Sequence, residues 1–424
     1  MNKPQQNTLP GANRALVLLL LINLFNYIDR YILAAVEPLV GDHFFGASGG
    51  GAMAKTGSLA TAFLVSYMVL APVFGWLADR FSRWLLIAAG VAVWSLASGA
   101  SGLATTFTML VLTRVLVGVG EAAYGPAAPT ILSDLFPVER RGKVLSIFYL
   151  AMPVGSALGY AFGGAMGQWF GWRMPFYLVT IPGLALAAVC LWMREPRSLR
   201  AAGEKKRAVN FTDALAIFRI RSYVLNTAAM TAMTFAIGGI SFWLPRYLFK
   251  YRAADFGGAP SLARINLIFG AITVLAGMTS TLLGGIVADK LSRRFSGAYF
   301  LVSGVAMTLA FPLTIAMLYT PFPAAWVLIF FAVFFLFFNT GPSNTALANV
   351  THPSVRATAF ALNIFIIHAL GDALSPPLIG AIADRTNMNV AFFVVSLVML
   401  VGAGFWLAGA KFLQRDMERA ARDF

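Results

Sequence analysis

The stretch Gly75-Trp-Leu-Ala-Asp79-Arg80-Phe-Ser-Arg83 returns, little altered, as Gly285-Ile-Val-Ala-Asp289-Lys290-Leu-Ser-Arg293, a shift of 210 residues. Farther along, the run from Glu139 to Ser146 is echoed from Val355 to Ala361, with Arg141 and Arg356 215 residues apart. Two echoes at nearly one offset mark a duplicated unit. The longest polar stretch of the chain lies between the copies and carries eight Lys and Arg from Arg194 to Arg221. It divides the chain into a first half (1–193), a basic linker (194–221) and a second half (222–424).

What surrounds the repeats is apolar. Of 424 residues, 59% are hydrophobic and 12% charged, with a mean hydropathy of +0.75. Soluble domains carry about a quarter charged residues, so this chain lacks the polar surface that a water-soluble fold of its length needs. Apolar runs near 15–36, 56–78, 84–104, 107–131, 146–166, 174–193, 222–245, 265–288, 298–319, 324–348, 357–380 and 389–410 are each long enough to cross a bilayer. The reading is an all-α integral membrane protein: twelve transmembrane helices in two pseudo-symmetric six-helix bundles, six to each repeat, as parallel transporter repeats require.

The net charge of +15 raises the possibility of nucleic acid, and its distribution answers it. With both termini in the cytoplasm, Lys55, Arg173, Arg246, Lys250, Arg252, Arg264 and Arg385 fall outside, and Arg30 and Arg114 lie within spans. All other Lys and Arg fall on the inner side, which fixes the orientation by the positive-inside rule. The basic excess is therefore a topology signal facing anionic inner-leaflet lipid, and no nucleic-acid partner is expected. Cys190 is the single cysteine, so no disulfide framework exists. No metal-ligand spacing, phosphate loop or dinucleotide loop occurs. No metal, no cofactor and no embedded enzyme are expected.

The G-x-x-x-D-[RK]-x-x-R loops resemble the signature of the major facilitator superfamily, and the resemblance covers the whole chain. It implies a major facilitator fold, usually monomeric, in which these loops act as conformational gates. The gating candidates are Asp79, Arg80 and Arg83 in the first half and Asp289, Lys290 and Arg293 in the second; the alternative is plain loop anchoring. Three shorter runs resemble the Spinster subfamily, whose members carry lysophospholipids and sphingosine phosphate. They are Asn26-Tyr-Ile-Asp-Arg-Tyr31, Asp134 to Gly142, and Phe365 to Pro376. That resemblance implies an amphiphilic lipid substrate moved across the cell (inner) membrane in exchange with, or driven by, protons.

The residues supply their own argument for a coupling site. Charges within a span are expensive and face a bundle interior, a cavity or each other. At about 100° per residue, Asn23, Asn26, Tyr27, Asp29, Arg30 and Glu37 fall on one arc of the first span, opposite Leu24, Ile28, Ile32 and Ala35. In span four, Arg114 and Glu121 stand nearly in line, flanked by Gly118 and Gly125, which leave room around the carboxylate. Opposite helix directions place Asp29 and Arg114 at similar depth. Desolvation favours the neutral acid and a guanidinium favours the ionised one, so a moving arginine would switch a proton on and off. Asp29 is the expected main proton acceptor, Glu121 a second, and Arg114 the switching partner. Arg30 either shares that role or binds an anionic headgroup; a static ion pair is the alternative.

Further cavity candidates are Asn26, Tyr27, Arg30, Asn339, Asn344, and the i,i+4 pair His368 and Asp372, which a structural hydrogen bond would explain equally well. Gly155, Gly159 and Gly163 have the spacing that lets helices approach closely. Phe235, Phe242 and Trp243, with the phenylalanines from Phe330 to Phe338, form aromatic walls for an acyl chain or for lipid packing. A small organic anion or drug carrier, and a ligand-binding receptor without turnover, remain as rival functions.

Overall fold

The computed structural model describes residues 9–46, 51–78, 80–193, 216–352 and 355–422. Twelve helices are long and apolar enough to span a membrane: α1 (Ala12–Phe45), α2 (Ala52–Ala78), α3 (Arg83–Gly102), α4 (Phe107–Leu135), α5 (Arg140–Phe170), α6 (Met174–Trp192), α7 (Arg221–Tyr251), α8 (Leu262–Ser292), α9 (Ala298–Tyr319), α10 (Ala324–Val350), α11 (Thr358–Arg385) and α12 (Met388–Ala420). Each overlaps one expected span. No strand occurs among the described residues. The helices run past their apolar windows because backbone hydrogen bonding continues where the side chains turn polar. His43, beyond the first apolar run at 15–36, thus still lies on α1. Most of the basic linker falls outside the described residues.

The helices form two compact units. The first comprises Met1–Ser48, Ser58–Lys206 and Ser261–Gly270; the second comprises Gly49–Gly57, Arg207–Pro260 and Ala271–Phe424. The start of α8 belongs to the first unit and the start of α2 to the second.

In the first unit, α5 lies against α1 along its glycines. A Cβ on Gly155 would stand 2.7 Å from the Leu24 carbonyl oxygen, and one on Gly159 would stand 2.6 Å from that of Ile28. Gly163 rests against Ile32 and Ala35, and Gly167 against Val36. The apolar arc of α1 is thus buried by a neighbouring backbone, leaving its polar arc for the other helices. Asn23 donates to the Phe148 carbonyl at 3.0 Å, and Tyr124 donates to that of Leu19 at 2.7 Å, holding α1 to α5 and α4.

The second unit is pinned by buried amides. Trp406 donates to Asn226 Oδ1 (2.8 Å), and Asn226 Nδ2 donates to the Ser343 carbonyl (3.0 Å), tying α12, α7 and α10 together. Trp243 donates to the Pro376 carbonyl at 2.9 Å. Trp243 is fully buried and Phe242 nearly so. These two are core residues rather than an acyl-chain wall: the indole N–H needs an acceptor, and the Pro376 carbonyl supplies it. Phe330, Phe331, Phe334, Phe335 and Phe338 form a ladder of ring contacts along α10.

The echoed arginines do the same work in each half. Arg141 donates to the carbonyl of Phe136 (3.1 Å) and Arg356 to that of Thr351 (3.3 Å), each five residues back, where α4 and α10 end with open carbonyls. The repeat therefore encodes a helix terminator.

A branched side chain on the α1–α5 seam should push backbone from backbone. Gly159→Val is expected to destabilise the protein by about 1–3 kcal/mol, seen as a lowered melting temperature in detergent. Gly142→Ala, on the same helix with open space at its Cβ position, should leave it unchanged.

Candidate coupling site

The polar arc of α1 meets α2, α3 and α4 inside the first unit. Asp29 is 2% exposed and accepts a short hydrogen bond from Ser98 on α3. Arg114 on α4 is equally buried and donates to Ser101 at 2.5 Å and to Ser98 at 3.4 Å. The two expected partners thus meet through a serine rather than directly. Ser98 stands between carboxylate and guanidinium, and Asp29 Oδ2 and Arg114 Nε have no hydrogen-bond partner among the described residues. Arg114 also lies 5.1 Å from the Phe176 ring centre. Sequence reading missed Ser98 and Ser101; their signal is a row of three serines, Ser95, Ser98 and Ser101, spaced three apart in an apolar span and easily taken for helix-packing residues.

At the next residue of α1, Arg30 grips Glu121, which lies seven residues along α4 from Arg114. Nη2 and Nε stand 2.5 and 2.7 Å from Oε2, and the Glu121 side chain is fully buried while that of Arg30 is 22% exposed. Buried Asn26 lies beside Glu121. The guanidinium carbon is 4.9 to 5.3 Å from the ring centres of Phe63, Tyr27 and Tyr67. A cation within about 6 Å of aromatic faces is stabilised by them. Arg30 is thus held by one carboxylate and three rings, with part of its edge open.

The glycines of α4 explain this cage. Gly118 sits against Ser66 and the Phe63 carbonyl, and a Cβ on Gly125 would lie 2.7 Å from the Tyr67 hydroxyl. They do not open space around Glu121, as the sequence suggested; they admit α2, whose Phe63 and Tyr67 then reach Arg30. Gly120 likewise admits the α3 backbone at Gly90 and Trp94.

The remaining candidates divide. Arg83 pairs with Asp134 at 2.6 Å and reaches Thr130, joining the start of α3 to α4. Arg80 stacks on Trp76 at 3.8 Å and donates to its carbonyl. Asp289 accepts from Tyr299 at 3.0 Å, while Lys290 and Arg293 are exposed. Asp79 lies outside the described residues. His368 and Asp372 pair at 3.0 Å across a π-turn that the helical spacing did not reveal, and Asp372 packs on Gly238 of α7. Asn339 is buried and donates to the Leu336 carbonyl, and Asn344 donates to that of Thr340. Both amides face their own helix, because a side-chain donor there finds a carbonyl one turn back.

Buried, cross-linked charges thus gather in the first unit of a chain with twelve candidate membrane spans among its described residues. The model of the Major Facilitator Superfamily matches residues 19–376. Protein spinster homolog 1 of Homo sapiens is 35% identical over 447 residues, covering 97% of this chain and 83% of the relative. The chain belongs to the Spinster family of the major facilitator superfamily. The sphingosine-1-phosphate transporter SPNS2 of Danio rerio is 34% identical, covering 94% of this chain and 84% of that relative. The fold matches the crystal structure of a bacterial homolog of the human lysosomal transporter Spinster, in an inward-facing and unoccupied conformation. The TM-score is 0.83 at 22% identity, with 97% of this chain and 99% of that one covered. The D-xylose-proton symporter aligns with a TM-score of 0.72 at 18% identity, covering 92% of this chain and 96% of that one. This Spinster-family member is thus an integral membrane transporter and not an enzyme.

Ser98 carries the link between Asp29 and Arg114. Ser98→Ala should leave the carboxylate without its donor, at a cost of about 1–3 kcal/mol in thermal stability. Ser98→Thr, which keeps the hydroxyl, should retain most of it.

Proposed function

We propose that this chain is a proton-coupled secondary active transporter for amphiphilic lipids with an anionic headgroup, working by alternating access. The carrying observation is the buried chain Asp29–Ser98–Arg114 beside the Arg30–Glu121 pair. Two carboxylates and two guanidiniums share one dry cluster, so the state of one pair is felt by the other. In the proposed cycle Asp29 takes a proton when Arg114 withdraws from Ser98 and loses it when Arg114 returns. Glu121 does the same for Arg30. Asp29 is the main acceptor because neither guanidinium touches it directly.

Arg30 is proposed to contact the substrate. Its partly open edge and aromatic collar suit a phosphate or carboxylate headgroup, with Tyr27 and Asn26 beside it. The binding of such a group would compete with Glu121 for the guanidinium, free that carboxylate to hold a proton, and so couple substrate to proton. The SPNS2 relative of Danio rerio is a sphingosine-1-phosphate transporter, which is consistent with this chemistry. The moving bodies are proposed to be the repeats 1–193 and 222–424, rocking about a central site. Arg80, Arg83, Asp289, Lys290 and Arg293 would serve as gating groups, and both termini would be cytoplasmic on a monomer in the cell (inner) membrane.

Proteoliposome flux with an imposed pH gradient tests this. A lysophospholipid and sphingosine phosphate should be moved in response to the gradient, and Asp29→Asn should abolish the response while the protein stays folded. Flux of small anions but not lysolipids would favour the organic-anion carrier, and binding without flux would favour a receptor. A pH response that survives intact in Asp29→Asn sinks the coupling role.

A further inference from the structure

Three buried hydroxyls surround the head of Arg114: Ser98 and Ser101 of α3, and Thr113 of α4. Their hydrogen bonds run in a fixed direction. Thr113 donates its one hydroxyl proton to the Leu110 carbonyl at 2.8 Å, so towards Ser101, 2.8 Å away, it can only accept. Ser101 therefore donates to Thr113 and presents its lone pairs to Arg114, whose Nη2 lies 2.5 Å off. The Ala97 carbonyl, at 2.9 Å, is a second acceptor for the same Ser101 proton.

The guanidinium thus has two hydroxyls within reach and sits on the one that does not hold Asp29. Ser98, which donates to the carboxylate, is 3.4 Å from Arg114. Asp29 Oδ2 and Arg114 Nε are buried and without a hydrogen-bond partner among the described residues. A direct ion pair would satisfy both atoms. In so dry a place opposite charges attract strongly, so their separation requires a competing acceptor for the guanidinium.

We propose that Ser101, with Thr113 behind it, is the station to which Arg114 withdraws from Asp29. The inference rests on the proton-coupling reading above and names what regulates that site. With Arg114 on Ser101, the carboxylate is left to Ser98 and can hold a proton. With Arg114 off the station, the two charges meet and the proton leaves. Both hydroxyls are positioning residues: neither hydrogen-bonds Asp29, and Thr113 acts through Ser101. The other charges acting on Asp29 are Arg30 of α1 and Glu121 of α4, and these hold each other. Tyr27 and Tyr67 face Arg30. Of the remaining neighbours, α6 brings the Phe176 ring to Arg114, and α5 meets α1 through Gly155 and Gly159.

Sphingosine phosphate flux in proteoliposomes, followed across a pH series, tests the station. Ser101→Ala should leave Arg114 with Asp29 and favour the ionised carboxylate. The pH of half-maximal flux should then move about one unit toward acid. Thr113→Val, which keeps the shape and loses the hydroxyl, should move it the same way by less, and keeps the test open if Ser101→Ala does not fold. Ser101→Thr should stay near the parent. So should Ser95→Ala, whose serine belongs to the same row but faces Gly183 of α6. Melting temperatures in detergent establish that each variant is folded. If Asp29→Asn abolishes the parent's pH response while the folded Ser101 and Thr113 deletions keep its midpoint, or move it toward alkali, the inference is overturned and the coupling reading stands. An acid shift of equal size in Ser95→Ala, marking a general loosening of α3, overturns it too. If the parent's flux is absent or indifferent to pH, or Asp29→Asn keeps the response, the coupling reading fails and the inference falls with it.

Discussion

A carboxylate surrounded by helices in a bilayer has no water to hold its charge, and every other feature of the first unit follows from that. Ionised groups in such a place must be paired, hydrogen-bonded or neutralised by a proton. Here Asp29 and Arg114 meet through a serine, while Glu121 holds Arg30 directly inside a three-ring cage. Asp29 has one described donor, Ser98, and its second oxygen has none among the described residues. Glu121 Oε1 likewise has no hydrogen-bond partner among the described residues, but Glu121 is gripped directly by a guanidinium through Oε2, and Asp29 is not. A group satisfied in part is the one whose protonation changes least else when it changes, which suits a coupling site.

Packing serves this cluster. For α1 to turn its polar arc inward it must bury its apolar arc against something close, and the α5 glycines provide that surface. For Arg30 to be caged, α2 must approach α4 closely, and Gly118 and Gly125 permit it. Without a hydrophobic driving force between helices in lipid, close backbone approach is what makes such contacts favourable. The second unit has no comparable charge cluster among its described residues. Its interior is pinned instead by Asn226, Trp406 and Trp243, neutral groups whose hydrogen bonds fix helix positions. The asymmetry accords with the coupling role proposed for the first repeat.

Much of this was legible in the sequence because two signals were strong. Twelve apolar runs and a repeated nonapeptide fix element number, type and pairing, since hydropathy answers directly to the solvent and duplication fixes symmetry. The identity of the buried charges was equally plain, because a charge in a span is rare. Their partners were not. Helical spacing gives direction on one helix but not the rotation of its neighbours, so Arg114 was expected on Asp29 and found on Ser98, and Arg30 became the partner of Glu121. The packing of Asp372 on Gly238 and the hydrogen bond from Trp243 to the Pro376 carbonyl depend on atoms brought together from distant segments. No local pattern announces them. Glycines were noticed, but whether a glycine makes room for a ligand or for a helix is settled only by what stands opposite.

The central claim is that the Asp29 cluster exchanges a proton as the protein takes up its substrate. The most direct measurement is proton release or uptake by the purified transporter in weakly buffered detergent, followed with a pH indicator dye as sphingosine phosphate is added. The account predicts a proton change on the order of one per protein molecule, absent in Asp29→Asn. Substrate binding with no proton change in the parent protein, or an unaltered change in the variant, would contradict it.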